Sequence, residues 1–77
     1  NPFYTNTRIT VSAAVAGQTM EILNLKGEVV RRLAGEGGRS FAWDARDAFG
    51  RALPAGIYCA RVQADGRWLT KKMMCLR

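Results

Sequence analysis

Asp44 and Asp47, in Trp43-Asp44-Ala45-Arg46-Asp47, are the only acids close enough in sequence to suggest one shared site. Such a pair suits two chemistries: general acid–base work, or part of an oxygen cage for Ca²⁺. Calcium takes roughly six to eight oxygen ligands, whereas this loop supplies two carboxylates and some backbone carbonyls, without EF-hand spacing. The plainer alternative is that each Asp accepts backbone N–H bonds and holds a turn closed, with Arg46 and Arg51 near enough for local ion pairing. The nucleophile candidates are Ser12, Ser40, Cys59 and Cys75, but the chain contains no His. That removes the usual activating base for a serine or thiol, the commonest metal ligand and the pH switch together. Lys71 and Lys72, close to Cys75, would lower a thiol pKa; the competing reading makes Cys75 a small apolar core residue and Cys59 a partly covered strand residue. The expectation is a chain that is not an enzyme and uses no cofactor and no metal.

Charge raises a different class of function. Twelve basic against six acidic side chains give +6 and a pI near 10.2, so nucleic acid or an acidic surface must be weighed as a partner. The basic residues are spread from Arg8 to Arg77, with short clusters only at Arg31-Arg32 and Lys71-Lys72. Arg61 to Arg77 holds five basic residues against the single acid Asp65, which makes the C-terminal end the most positive part. No recognised nucleic-acid motif accompanies that charge, so a solvated basic surface is expected, with no nucleic acid as partner. A basic nucleic-acid-binding β-barrel stands as a third reading. Trp68 either offers a stacking platform for a sugar or a base, or packs on the Arg61 guanidinium as a cation–π contact.

The elements that would position these residues are short strands separated by turn signals at roughly 8–12-residue intervals, the pattern of an all-β sandwich or barrel. Thr7 to Ser12 alternates Ile9 and Val11 with polar residues, and Gln18 to Leu25, after the Ala16-Gly17 turn, places Met20 and Ile22 on one face. Asn24-Leu25-Lys26-Gly27 is a tight turn. Glu28 to Leu33 resumes as a strand whose register Val29 and Val30 leave ambiguous. After a loop at Gly35 to Gly38, Arg39 to Trp43 points Phe41 and Trp43 the same way, with Trp43 as a core anchor; Asp44 to Gly56 is the longest irregular stretch. No run approaches the ~20 apolar residues of a membrane helix. With 77 residues beginning at Asn1 and not at Met, the chain is expected to be one domain cut from something longer.

Ile57 to Ala64 and Arg67 to Leu76 flank Asp65-Gly66, the strongest hairpin signal in the chain. A two-residue turn there pairs Ala64 with Arg67, Val62 with Leu69, Ala60 with Lys71 and Tyr58 with Met73. Tyr58, Ala60, Val62, Leu69 and Met73 then share a core face, while Cys59, Arg61, Gln63, Trp68, Thr70 and Lys72 share the other. Cys59 opposes Lys72 and Cys75 lies on the opposite face. A disulfide needs Cβ atoms about 3.8 Å apart, so none is expected between them.

Read in order, Asn1-Pro2-Phe3, Asn24-Leu25-Lys26-Gly27-Glu28-Val29-Val30, Trp43-Asp44-Ala45-Arg46-Asp47 with Gly50, Pro54-Ala55-Gly56-Ile57-Tyr58, Arg61 and Lys71-Lys72-Met73-Met74 form a set. It resembles the C-terminal sorting domain of the type IX (Por) secretion system and is similar to the immunoglobulin-like domain of the flagellar hook-capping protein. The resemblance implies an immunoglobulin-like antiparallel β-sandwich of about seven short strands over residues 1–77, with Asn1 to Tyr4 as a linker junction. Trp43, Asp44, Asp47, Gly50, Gly56 and Tyr58 would be framework positions. Lys71, Lys72 and Arg77 would form the recognition strand, docking on outer-membrane secretion machinery. The domain would be continuous with an upstream passenger, cross the periplasm of a Gram-negative bacterium and end secreted or at the cell surface. The alternative is a structural or adhesive immunoglobulin-like module of the hook-capping kind. The chain departs from the pattern at Ala45, where the family often has Gly, at Cys59, where an aromatic is common, and at Cys75 in the final strand.

Overall fold

The computed structural model describes residues 2–3, 6–11, 18–34, 40–64 and 66–76. The expected Ser12, Ala16-Gly17, Gly35 to Arg39, Asp65 and Arg77 features, and Asn1 and Tyr4, lie outside them. Among the described residues the chain forms a two-residue strand β1 (Pro2–Phe3) and longer strands β2 (Thr7–Thr10), β3 (Thr19–Leu23), β4 (Val29–Ala34), β5 (Ser40–Trp43), β6 (Gly56–Ala64) and β7 (Arg67–Cys75). They make two sheets, one in the order β1-β7-β6-β3-β4 and one of β2 and β5. The fold is the expected all-β sandwich. One detail differs: Pro2 and Phe3, in the stretch expected as a linker junction, pair in parallel with Met74 and Cys75, while the other pairings are antiparallel.

Alternation builds the core. Ile9 opposes Phe41 across β2 and β5, and both are fully buried against Met20, Ile22, Ala60 and Val62 of the larger sheet. With period two, each of these strands sends every second side chain inward. The β6–β7 ladder runs in the register expected from the turn, from Ala64↔Arg67 through Val62↔Leu69 and Tyr58↔Met73 to Gly56↔Cys75. Cys59 pairs with Lys72, on the face away from buried Cys75, so the two thiols point to opposite sides of one sheet. Lys71 pairs with buried Ala60 and therefore lies on the core side.

The ambiguity at Val29-Val30 has a physical cause. Ile22 pairs with Arg31 and Leu23 with Val29, a register shift that leaves Val30 as the extra residue of a β-bulge. The shift lets two patterns coexist in β4, and it places Arg31 opposite buried Ile22. Leu23, paired with Cys59, sits on the outer face and is still only 9% exposed.

The β3–β4 turn is closed by one side chain. Asn24 Oδ1 accepts from the N–H groups of Lys26 and Glu28, both at 3.0 Å, and Gly27, at φ +83°, donates to the Asn24 carbonyl. A positive φ at that place costs a side-chain-bearing residue about 1–2 kcal/mol, which is why Gly stands there.

Candidate framework and docking surface

The residues from Trp43 to Tyr58 form one hydrogen-bonded frame at the end of the sandwich. Trp43, 2% exposed, meets Tyr58 edge to face with centroids 5.5 Å apart and planes at 72°. Its indole Nε1 donates to the Arg46 carbonyl at 3.2 Å. The Tyr58 hydroxyl donates to the Pro54 carbonyl at 2.6 Å. A buried Trp beside a Tyr whose hydroxyl bonds back to backbone a few residues upstream is a hallmark combination of immunoglobulin-like sandwiches.

The two acids do not share a site; each closes its own turn. Asp44 Oδ1 accepts from the Arg46 N–H at 3.1 Å and from Arg31 Nη1 at 3.0 Å. Asp47 Oδ1 accepts from the N–H groups of Phe49 at 2.9 Å and Arg51 at 3.0 Å. Asp47 and Arg51 also exchange a backbone bond at 2.9 Å, and Gly50, at φ +81°, donates to the Asp47 carbonyl. The N–H of Arg51 holds the Asp47 carboxyl below its ordinary value of 3.8; desolvation opposes it, and the Phe49 N–H and the charges of Arg51 and Arg31 add to the lowering. These bonds match the turn-closing alternative read from the sequence. Among the described residues, no three His, Cys, Asp or Glu side chains gather where they could hold a metal ion.

Ala45 lies between these turns at φ +60°, fully buried. Its carbonyl accepts from the Leu53 N–H at 3.0 Å. This left-handed backbone accounts for the preference for Gly that the resemblance implies at the position. Gly56 opens β6 opposite Cys75.

The expected recognition strand is divided. Lys72 is exposed on the outer face beside Cys59. Lys71 is half-buried and its Nζ reaches the Thr10 carbonyl at the end of β2, at 3.4 Å. Arg77 lies outside the described residues. Among them, β1 meets only Met74 and Cys75 of β7, so the stretch from Arg67 to Met73 has its ladder on the β6 side.

One group that the sequence did not single out crosses the outer face of the larger sheet. Glu21 on β3 faces Arg32 on β4 and Arg61 on β6. Its carboxylate accepts from Arg61 Nε at 2.8 Å and lies 3.5 Å from Arg32 Nη2. The Arg61 guanidinium in turn stacks over Trp68 at 5.0 Å, the cation–π contact weighed from the sequence. Strand order was the missing signal, since Glu21 and Arg61 are forty positions apart.

A family model described as the FlgD Ig-like domain matches residues 4–67. The chain belongs to this family. The match covers the frame of this FlgD Ig-like domain from Trp43 to Tyr58 and ends at the first residue of β7, so Lys71 and Lys72 lie beyond it. The resemblance to the type IX sorting domain has no counterpart in these comparisons. No curated protein and no solved structure matches the chain. No helix among the described residues is long and apolar enough to cross a membrane.

Proposed function

We propose that this FlgD Ig-like domain is a non-catalytic structural module, of the hook-capping kind, that serves a larger protein by making contacts within an assembly. The observation that carries this reading is the family match across residues 4–67. The frame supports it: Asp44, Asp47 and the Tyr58 hydroxyl are engaged in holding loops in place. To test it, residues 1–77 are excised from the parent and its assembly state is measured by sedimentation. Loss or weakening of assembly is expected; a parent that assembles unchanged without the domain would falsify the reading.

A second reading, export through the type IX machinery to the surface of a Gram-negative bacterium, has one observation in its favour. The C-terminal strand, next to the sheet edge, carries exposed Lys72 where an outer-membrane partner could reach it. Deleting the strand is a poor test, since Met73 and Cys75 are core residues. Lys72→Glu leaves the core intact, and passenger export at the normal level in that variant would dismiss sorting by this strand.

A further inference from the structure

Trp68 is the most unusual side chain on the outer face. It stands at the Gly66 end of β7, directly across from Gln63, and is 55% exposed. A Trp in a sheet of this kind ordinarily turns its indole into the core, as Trp43 does. Here one ring face is covered by the Arg61 guanidinium at 5.0 Å, which leaves the remaining surface of the indole toward solvent. Arg61 is itself fixed by Glu21 at 2.8 Å, and Glu21 is flanked by Arg32 at 3.5 Å. The cation–π contact, worth about 0.5–1 kcal/mol at an exposed site, biases the indole toward this position and so lowers part of the ordering cost of binding.

Beside this ring lies a surface depression of about 430 Å³, lined by Gln18, Thr19, Glu21, Arg32, Gln63 and Trp68. It is a shallow depression open to solvent, unlike the clefts that bury most of a ligand. The lining is one aromatic platform and five polar side chains. Two amides and a hydroxyl offer both donors and acceptors, the carboxylate only accepts and the guanidinium only donates. Glu21 is engaged by Arg61 and flanked by Arg32, so the charged groups are occupied with one another and the two amides and the hydroxyl are left for a ligand. A ligand that matches must present an apolar face to the indole and, around its edge, groups that donate and accept at once. A pyranose ring, with C–H bonds on its face and hydroxyls on its rim, has that distribution. An anionic ligand would have to displace Glu21 from Arg61 and Arg32 in order to pair with them, so a phosphate-bearing chain fits less well.

We propose that the depression beside Trp68 is a binding subsite for a neutral oligosaccharide, one sugar ring stacking on the indole while Gln63 and Gln18 bond its hydroxyls. The subsite is independent of the assembly role proposed above.

The test uses the whole 77-residue chain and three probes: cellotetraose, maltotetraose and chitotetraose. Each is titrated to about 10 mM, well above the ~1 mM dissociation constant suited to a shallow site, while the two indole N–H signals are followed by NMR. With at least one probe, the Trp68 signal should move and saturate, and that of Trp43, 2% exposed, should stay. In Trp68→Ala, followed through the backbone amide signals of Gln18 and Gln63, no saturable shift should remain, while the Trp43 signal reports an intact fold. Gln63→Ala, which keeps the ring, should weaken affinity up to about tenfold, the loss of one hydrogen bond. The proposal is overturned by a Trp68 signal unmoved by all three sugars, or by binding that survives Trp68→Ala. It is equally overturned if the signal responds only to an oligothymidylate, with an affinity that falls steeply with salt, since that assigns the surface to nucleic acid.

Discussion

Arg31 and Asp44 are joined by a 3.0 Å ion pair that ties the bulged strand β4 of the larger sheet to the loop leaving β5 of the smaller one. Arg31 Nη1 also donates to the Arg46 carbonyl at 3.0 Å, the same oxygen that accepts from the Trp43 indole. A charge opposite Ile22 looks misplaced until that partner set is seen. Arg31→Ala should lower stability by about 1 kcal/mol, because the pair is partly solvated but the carbonyl loses a charged donor. In a domain this small that corresponds to a fall of about 4–8 °C in Tm, measured by thermal circular dichroism; no change would show the pair to be decorative.

Ala45 tests the left-handed position by magnitude. Ala45→Gly relieves roughly 1 kcal/mol of backbone strain, removes a buried methyl worth roughly 0.8 kcal/mol and loosens the unfolded chain by about 0.4–1 kcal/mol. The terms nearly cancel, so urea denaturation should place this variant within about 1 kcal/mol of the parent. Ala45→Val keeps the positive φ and adds a β-branch in a filled core, and it should cost more than about 2 kcal/mol. Equal effects from the two substitutions would contradict the φ of +60°.

Asp47 predicts an acid limb in the stability profile. Its folded pKa is depressed by the Arg51 and Phe49 N–H groups, so the unfolded chain binds the proton first as pH falls. Stability rises with pH wherever the unfolded state holds more protons. The contribution is therefore complete above the ordinary carboxylate value and is lost as pH drops through the lowered one. Asp47→Ala should be less stable at neutral pH and show a flatter acid limb in urea midpoints measured across the acid range. A limb as steep as that of the parent would remove Asp47 from the account.

The Tyr58 hydroxyl is a single-bond probe. Tyr58→Phe keeps the ring against Trp43 and deletes the donor to Pro54, leaving that carbonyl without it. The expected loss is about 1–1.5 kcal/mol. Tyr58→Ala also removes the ring from the core, for about 3–5 kcal/mol. A Phe variant as stable as the parent would show that water replaces the bond.

The two thiols differ in access. Cys59 is partly covered on the outer face, and Cys75 is buried. Ellman's reagent should label Cys59 in the native chain within minutes and Cys75 only on unfolding. Equal native labelling rates would be incompatible with this packing.

The hairpin from Gly56 to Cys75 was readable from the sequence because one turn signal and strict alternation fix every pair in it. Trp43, Phe41, Met20 and Ile22 were readable as core for the same reason. The turn-closing roles of Asp44 and Asp47 followed from residue type and spacing, which govern bonds between near neighbours. Position across the other strands was not legible. Neither Arg31 on Asp44 nor Glu21 between Arg32 and Arg61 could be foreseen, since strand order and a one-residue bulge set both. Lys71 was expected on a docking surface as one of a pair with Lys72, but period two sends neighbours to opposite faces, and only Lys72 looks outward.

That division has a consequence for crowding. Arg31 on β4, at one flank of the larger sheet, and Lys71 on β7, at the other beside two-residue β1, both direct a cation toward the inside. A neighbouring molecule that tried to extend the sheet by adding its own strand would have to enclose that ammonium or guanidinium. An inward-pointing charge near a sheet edge is one of the devices that discourage edge-to-edge pairing, and each flank of the larger sheet carries one.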